Sequence, residues 1–296
     1  MKWRQKLYLL SAVLFPFISL LSQTKQNVEP VIINKIEDAR YIAVSPGGII
    51  YVFEKKRNAI LKYSPTGESL ATVSGFGLSK NSFAEPTDMC SPNDLDLFLS
   101  DFSNHQIIQY DQSLSVTAIW RASYQYSSRD NLYRYPKSID VDNLGKLYLI
   151  DADNKRIMKI SSSQKVERMF GGFDAGKGRL QNPKRIRINN KGNIFVHDSD
   201  RIIVYDQLGN YISTIANDSI KSMQSFCNFE NDLIVMDSCK IVRMRNDGLI
   251  LSTIRISTVE GLNDLNKPLD ITYRNKMLYF LSPNKVIGLP INSLFK

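Results

Sequence analysis

The sequence is poor in cysteine and histidine, two of the residue types that most often build metal sites. Its 296 residues include three cysteines and two histidines. A small, odd number of cysteines without a CxxC spacing excludes a dense disulfide framework and allows at most one bridge. Two histidines provide no cluster for zinc. We expect Cys90 and Cys227 to be small buried residues, and His105 and His197 to be structural or incidental.

Long runs of like charge are also missing. The chain carries 38 Lys and Arg against 29 Asp and Glu, a formal net charge of +9, but its basic residues are scattered. Nucleic-acid binders usually concentrate basic residues in runs or stripes, so we expect no nucleic-acid partner. A mild positive excess favours contact with acidic polymers or proteins instead.

An apolar run near the N-terminus, LYLLSAVLFPFISLL, follows three basic residues. Pro16 interrupts it, and the run is shorter than the roughly 20 residues that span a bilayer as a helix. The pattern is typical of a secretory signal peptide over residues 1–22. We therefore predict a secreted or periplasmic protein with no membrane span in the mature chain, and an uncleaved anchor is the alternative. No cysteine follows the run, which argues against a lipoprotein anchor.

One sequence pattern recurs along the rest of the chain. Each copy has a proline position, an apolar strand about ten residues later, an acidic residue that ends this strand and a branched aliphatic residue beyond it. The acidic positions lie 47, 50, 47, 39 and 45 residues apart, and a period of about 46 is typical of repeat architectures. They are occupied by Glu54, Asp101, Asp151, Asp198, Asp237 and, in the sixth copy, Ser282.

Every copy contains at least three short β-rich segments, and the first five copies add a fourth. The sixth copy ends without one, whereas the segment VIINKIE, residues 31–37, belongs to no complete copy. Pairing this segment with the last copy would close a ring. We therefore predict an all-β, six-bladed β-propeller of four-stranded antiparallel blades over residues 31–296, after a linker over residues 23–30.

Residues 169–210 resemble an NHL repeat, and weaker matches extend the resemblance to all six units. The matching residues are Phe170, Gly171, Gly176, Gly178, Pro183, Gly192, Asn193, Val196, Asp198, Arg201 and Ile202. The family's DxxN turn is present as Asp101 with Asn104 and as Asp151 with Asn154. The resemblance implies that these side chains brace the turn through hydrogen bonds, so we assign them a structural role.

Propellers bind at the axial mouth, where the first strand of each blade begins, although the fold alone does not name the ligand. Three of the six units carry a cation directly after the proline position: Arg40, Lys137 and Lys184. The next position adds Asp88, Arg185 and Asp270. Lys and Arg cannot ligate a divalent cation, which argues against the similar gluconolactonase type of propeller. Two carboxylates on separate blades make a weak metal site, and we expect no cofactor.

The connection before the third unit, ASYQYSSRDNLYRYP, is rich in Tyr and Arg, the residues enriched at interface hot spots. Its candidate contact residues are Tyr126, Arg129, Tyr133 and Arg134. Such a loop could bind a glycan, an acidic peptide or a partner protein. The alternative is that the tyrosines pack between blades two and three while the arginine tips are solvated.

These features favour a monomeric, non-enzymatic, extracytoplasmic binding or scaffold propeller that engages a protein or an anionic polymer at its axial face. Propeller lyases rely on histidine as base or metal ligand, and this chain has no such cluster. The alternative is a metal-dependent hydrolase or lyase of the gluconolactonase-like type that uses the axial pocket. In that case Asp88 and Asp270 are the acidic candidates.

Overall fold

The protein is a six-bladed β-propeller, as predicted. The structure is a computed structural model that describes residues 29–76, 82–121, 132–263 and 265–295. Within these ranges the strands form six four-stranded antiparallel sheets, one for each blade. The predicted signal peptide over residues 1–22, and most of the predicted linker, lie outside the described residues.

The first three blades follow the chain from β2 onward, and each runs from the innermost strand to the outermost. Blade one consists of β2 (Ala39–Val44), β3 (Ile50–Glu54), β4 (Ala59–Tyr63) and β5 (Ser69–Ser74). Blade two consists of β6 (Pro86–Cys90), β7 (Leu97–Asp101), β8 (Gln106–Tyr110) and β9 (Val116–Arg121). Blade three consists of β10 (Pro136–Val141), β11 (Leu147–Asp151), β12 (Arg156–Ile160) and β13 (Val166–Phe170).

Blades four and five repeat this order, and blade six borrows a strand from the other end of the chain. Blade four consists of β14 (Pro183–Ile188), β15 (Ile194–Asp198), β16 (Arg201–Tyr205) and β17 (Tyr211–Ile215). Blade five consists of β18 (Ser225–Phe229), β19 (Asp232–Met236), β20 (Lys240–Arg245) and β21 (Ile250–Arg255). Blade six consists of β22 (Asp270–Arg274), β23 (Met277–Ser282), β24 (Lys285–Pro290) and β1 (Val31–Asn34).

Helical structure in the described residues is confined to single turns. Two are α-helical, α1 (Asp218–Lys221) and α2 (Ile291–Leu294), and two are 3₁₀ turns, Gly176–Gly178 and Ile256–Thr258. In the part of the chain that the structure describes, no helix has the length and apolar character needed to cross a bilayer.

Strand β1 closes the ring, which confirms the role predicted for the unassigned segment. It pairs antiparallel with β24, and Ile33 lies opposite Val286. Alternate residues of β1 are buried, so Ile33 is 3% exposed while Ile32 is 54% exposed. Both chain ends therefore contribute to one blade, and its sheet is completed only when residues far apart in sequence meet.

The hydrophobic core is divided among the interfaces between neighbouring blades. Six buried apolar clusters occur in the described residues, one for each interface. The interface between blades two and three, for example, joins Phe98 and Trp120 to Ile139 and Leu149. Because each sheet buries both faces against its neighbours, every residue of the second strand is buried in blades one to four.

In blades two to five the recurring acidic residue accepts hydrogen bonds from the loop that enters the blade. Asp101 accepts hydrogen bonds from the backbone N–H groups of Ala84 and Glu85, at 3.1 and 2.9 Å, and from the Asn104 amide at 2.7 Å. Asp198 accepts from the backbone N–H groups of Gln181 and Asn182. The structural role assigned to these carboxylates is confirmed, and it extends beyond the turn to the connection between blades.

Candidate binding site on the propeller axis

The inner strands place a central and a lower layer of side chains around the axis, because side chains of a strand alternate in direction with a period of two. The residues directly before the central layer form a mouth above it. We call the end where these strands begin the upper face. The upper mouth consists of Arg40, Thr87, Lys137, Lys184, Gln224 and Leu269. The central layer consists of Tyr41, Asp88, Ser138, Arg185, Ser225 and Asp270. The lower layer consists of Ala43, Cys90, Asp140, Arg187, Cys227 and Thr272.

The upper mouth is built on irregular strand starts. The pairing of the first strand with the second shifts register around Arg40, Thr87, Lys137 and Lys184, where a β-bulge places an extra residue on the inner strand. Bulges change the direction of a side chain relative to the regular ladder. The repeated proline therefore leads into a bulge whose extra residue stands at the mouth.

Two lysines of the mouth lie close together with uncompensated charge. Burial lowers the pKa of the half-buried Lys137, and the charge of Lys184 on the next blade lowers it further. The Nζ atom of Lys184 donates to the carbonyl oxygen of Ser199 at 3.2 Å. Neither lysine forms an ion pair with a carboxylate of the described residues, whereas Arg40 pairs with Asp38 at 2.5 Å.

The central layer ties the blades together. Four side chains of this layer each accept a hydrogen bond from a backbone N–H of the next blade, and these N–H groups would otherwise be unpaired on the inner strand. Asp88 accepts from Ile139 at 3.3 Å, and Asp270 accepts from Ile42 at 3.3 Å across the ring closure. Two serines do the same between other blades: Ser138 accepts from Ile186 at 3.1 Å and Ser225 accepts from Ile271 at 3.4 Å.

Two arginines of blade four cross the axis to these carboxylates. Arg185 contacts both oxygens of Asp270, at 2.6 and 2.8 Å, and lies 3.6 Å from Asp88. Arg187 donates to both oxygens of Asp88, at 2.9 and 3.1 Å. Bidentate guanidinium–carboxylate pairs are the strongest neutralising contacts that side chains offer. Asp88 and Asp270 are therefore fully engaged within the protein.

Asp88 and Asp140, two aspartates near the axis, differ electrostatically. Burial alone would raise the pKa of Asp88, but the guanidinium groups of Arg187 and Arg185 outweigh burial and hold this pKa below its ordinary value. Burial raises the pKa of Asp140, and the charge of Arg187 only partly offsets the increase. Asp140 accepts hydrogen bonds from the backbone N–H groups of Val141 and Ile188, at 3.0 and 2.7 Å.

Below the ion pairs a polar pocket of about 240 Å³ opens toward the lower face. Six of its wall residues are Cys90, Asp140, Arg187, Cys227, Asn228 and Arg274. Both cysteines are buried and free. Burial raises the pKa of Cys227 to about 12 and that of Cys90 well above its ordinary value, so both stay as unreactive thiols at neutral pH.

The structure describes two of the four candidate residues in the Tyr- and Arg-rich connection before blade three. Tyr126 and Arg129 lie outside the described residues. Tyr133 is 4% exposed, packs between blades two and three and donates its hydroxyl to the carbonyl oxygen of Trp120 at 2.7 Å. Arg134 is exposed, and its backbone N–H donates to Asp151 at 3.2 Å. Tyr133 thus matches the packing alternative for this connection.

Three charged residues of the axis, Asp140, Arg187 and Arg274, were missed by the sequence reasoning. Asp140 and Arg187 stand two positions after Ser138 and Arg185, and Arg274 stands four positions after Asp270. The alternation of a strand puts such positions on the same side, so the period of two was the available signal. Within the described residues no group of three or more His, Cys, Asp or Glu is arranged to hold a metal ion.

Comparison with known proteins by sequence gives a partial match. No protein-family model matches the chain. Over 165 residues, 53% of this chain, the sequence is 26% identical to Protein brain tumor of Drosophila melanogaster, but the match spans 14% of that protein's length.

The solved structures match a larger share of this chain than the sequence relative does. The chain is similar to a streptogramin B lyase, with a TM-score of 0.63 and 12% identity over 88% of this chain and 96% of that one. It is also similar to virginiamycin B lyase from Staphylococcus aureus, with a TM-score of 0.58 and 15% identity over 88% of each chain. At these identities the similarity shows the six-bladed β-propeller fold that the three chains share.

Proposed function

We propose that the chain is a non-enzymatic, extracytoplasmic binding propeller of the NHL type, which captures an acidic protein segment or an anionic polymer at its upper mouth. In this proposal residues 1–22 are a signal peptide, residues 23–30 a linker and residues 31–296 the binding domain. The observation that carries the proposal is the pair Lys137 and Lys184, two adjacent cations without a carboxylate partner in the described residues.

The distribution of charge along the axis supports an anionic partner. In the central layer Arg185 is neutralised by Asp270, and Arg187 of the lower layer by Asp88. At the upper mouth the two lysine charges repel each other instead. A carboxylate, sulfate or phosphate group placed between them would replace this repulsion with two charge-assisted hydrogen bonds.

Two further observations support the family and the location. The NHL-like motif of residues 169–210 supports the family. The basic residues and apolar run at the N-terminus support export from the cytoplasm.

The enzymatic alternative depends on Asp88 and Asp270, and the geometry disfavours it. A divalent cation would have to displace Arg185 and Arg187, whose guanidinium groups already contact both carboxylates. Two like-charged groups beside the incoming cation would oppose its binding. The fold likeness to propeller lyases gives no residue of this chain a catalytic role.

The test uses residues 23–296 and two probes, fluorescent poly-L-glutamate and a fluorescent sulfated glycan. We expect the double variant Lys137→Glu/Lys184→Glu to bind at least one probe about tenfold more weakly or worse, since charge reversal turns attraction into repulsion. Lys191→Glu is the matched control, because Lys191 is exposed beyond the other end of β14 in the same blade. The double variant should also lose the partners that crosslinking captures from the native envelope.

Equal binding by the wild type, the double variant and the control would refute the upper-mouth proposal. A lactonase or lyase activity that Asp88→Ala abolishes would establish the enzymatic alternative, provided that circular dichroism shows the variant to be folded.

A further inference from the structure

The pocket below the ion pairs has opposite charges on opposite walls. Asp140 belongs to the inner strand of blade three and Arg274 to that of blade six. In a ring of six blades these two strands stand across the axis from each other. Both side chains line the 240 Å³ pocket, so a carboxylate faces a guanidinium across a small polar space.

Neither of these two charges is neutralised by an ion pair within the described residues. Arg187, which also lines the pocket, is already paired with both oxygens of Asp88. Asp140 accepts only two backbone hydrogen bonds, although an ionised carboxylate offers about four acceptor sites. Arg274 donates from Nε to the carbonyl oxygen of Val44 at 3.3 Å and from Nη1 to that of Tyr273 at 3.5 Å, which leaves three of its five donors available.

A third wall residue has an unmet hydrogen bond. Asn228 lines the pocket, and its Oδ1 atom is buried without a partner. A buried acceptor that stays unpaired destabilises the folded protein. A ligand that brings several N–H donors would satisfy this amide and Asp140 together.

We propose that this lower axial pocket binds a small zwitterion of the free α-amino acid class, with its ammonium group toward Asp140 and its carboxylate on Arg274. A pocket of about 240 Å³ has room for a small ligand that carries both an ammonium group and a carboxylate. A simple anion would leave Asp140 unpaired, and a neutral polyol would leave both charges uncompensated. Glu230, exposed at the rim, adds a second acidic group that favours an ammonium ion. The site is separate from the upper mouth and does not depend on the function proposed there.

The experiment measures binding to residues 23–296 by calorimetry and by ligand-observed NMR. The probes are glycine, L-alanine and L-serine. Propionate, isopropylamine and glycerol are the comparison compounds, since each lacks the ammonium group, the carboxylate or both. We expect at least one amino acid to bind, and each comparison compound to bind about tenfold more weakly or worse.

Two variants locate the site. Asp140→Asn and Arg274→Gln should each weaken amino-acid binding by about tenfold or more, because each removes one charge–charge contact. Asp247→Asn and Arg245→Gln are matched controls, since these two residues form an exposed ion pair outside the pocket and should leave binding unchanged. Lys137→Glu/Lys184→Glu should also leave it unchanged, which separates this result from the upper-mouth test.

Several outcomes would overturn the proposal. Binding of none of the three amino acids would do so, and so would equal binding of glycerol. Unchanged affinity in Arg274→Gln would exclude the pocket as the site. If Asp140→Asn does not fold, Arg274→Gln decides the question, because Arg274 is exposed and its replacement leaves the buried layers intact.

Discussion

His197 shows how a single buried residue can set the response of the fold to acid. It is 3% exposed in the second strand of blade four, and its Nε2–H donates to the carbonyl oxygen of Ser199 at 3.1 Å. Burial lowers the pKa of His197 to about 4, and the charge of Lys184 adds to this effect. The folded protein therefore holds a neutral imidazole at a pH where the unfolded chain, with a histidine pKa near 6.5, binds a proton.

We predict that this histidine destabilises the protein in mild acid. Because its pKa is depressed in the folded state, its contribution is complete above about pH 6.5 and is lost as the pH falls toward about 4. Between pH 7 and pH 5 the loss amounts to about 2 kcal/mol. Urea unfolding at pH 7 and at pH 5 should show that the unfolding free energy decreases less in His197→Met than in the wild type. Methionine is chosen because Met236 occupies the equivalent position of blade five. An equal decrease in both proteins would contradict the prediction.

At the residue scale the sequence predicted which side chains are buried better than it predicted which side chains contact each other. His197 and Cys227 were expected to be structural because their positions in the repeat belong to strands, and both are buried. The contact between Arg187 and Asp88, however, joins residues 99 positions apart and crosses the axis. This contact depends on the diameter of the closed ring, and no local sequence pattern indicates that diameter.

At the scale of the element, the acidic residue at the end of the second strand attaches the entering loop in blades two to five. Asp198 is fully buried and accepts from the backbone N–H groups of Gln181 and Asn182, and Arg201 donates to it at 3.0 Å. The period of these residues predicted the blades correctly because the same attachment recurs in blades two to five. Their partners in the preceding loop were not predictable, since the loops differ in length and sequence.

We predict that Asp198→Ala lowers the unfolding free energy by about 3–5 kcal/mol, because removing one partner of a buried charge pair also leaves backbone donors unsatisfied. Asp200→Ala, an exposed position two residues later, should change it by less than about 0.5 kcal/mol. Urea unfolding of both variants tests the pair. Similar stabilities would show that the carboxylate does not hold the entering loop.

At the scale of the whole molecule, the ring is held closed by residues from both ends of the described chain. Four backbone pairings join β1 to β24, and the hydrogen bond from the Ile42 N–H to Asp270 links blade one to blade six on the axis. Closure was predictable from the missing strand of the sixth copy. The axial contact was not, because Asp270 and Ile42 are 228 positions apart and meet only in the closed ring.

Ring closure can be tested within the single strand β1. We predict that Ile33→Ala lowers the unfolding free energy by about 2–5 kcal/mol, as is typical for truncating a buried isoleucine, because Ile33 packs in the cluster between blades six and one. Ile32→Ala is the matched control: the neighbouring side chain is 54% exposed, and the cost should be below about 0.5 kcal/mol. Hydrogen exchange should also be faster across β24 in Ile33→Ala, since this strand loses a well-packed partner. Equal stability of the two variants, or unchanged exchange in β24, would show that β1 adds little to closure and that contacts of the inner strands, such as that between Asp270 and Ile42, hold the ring.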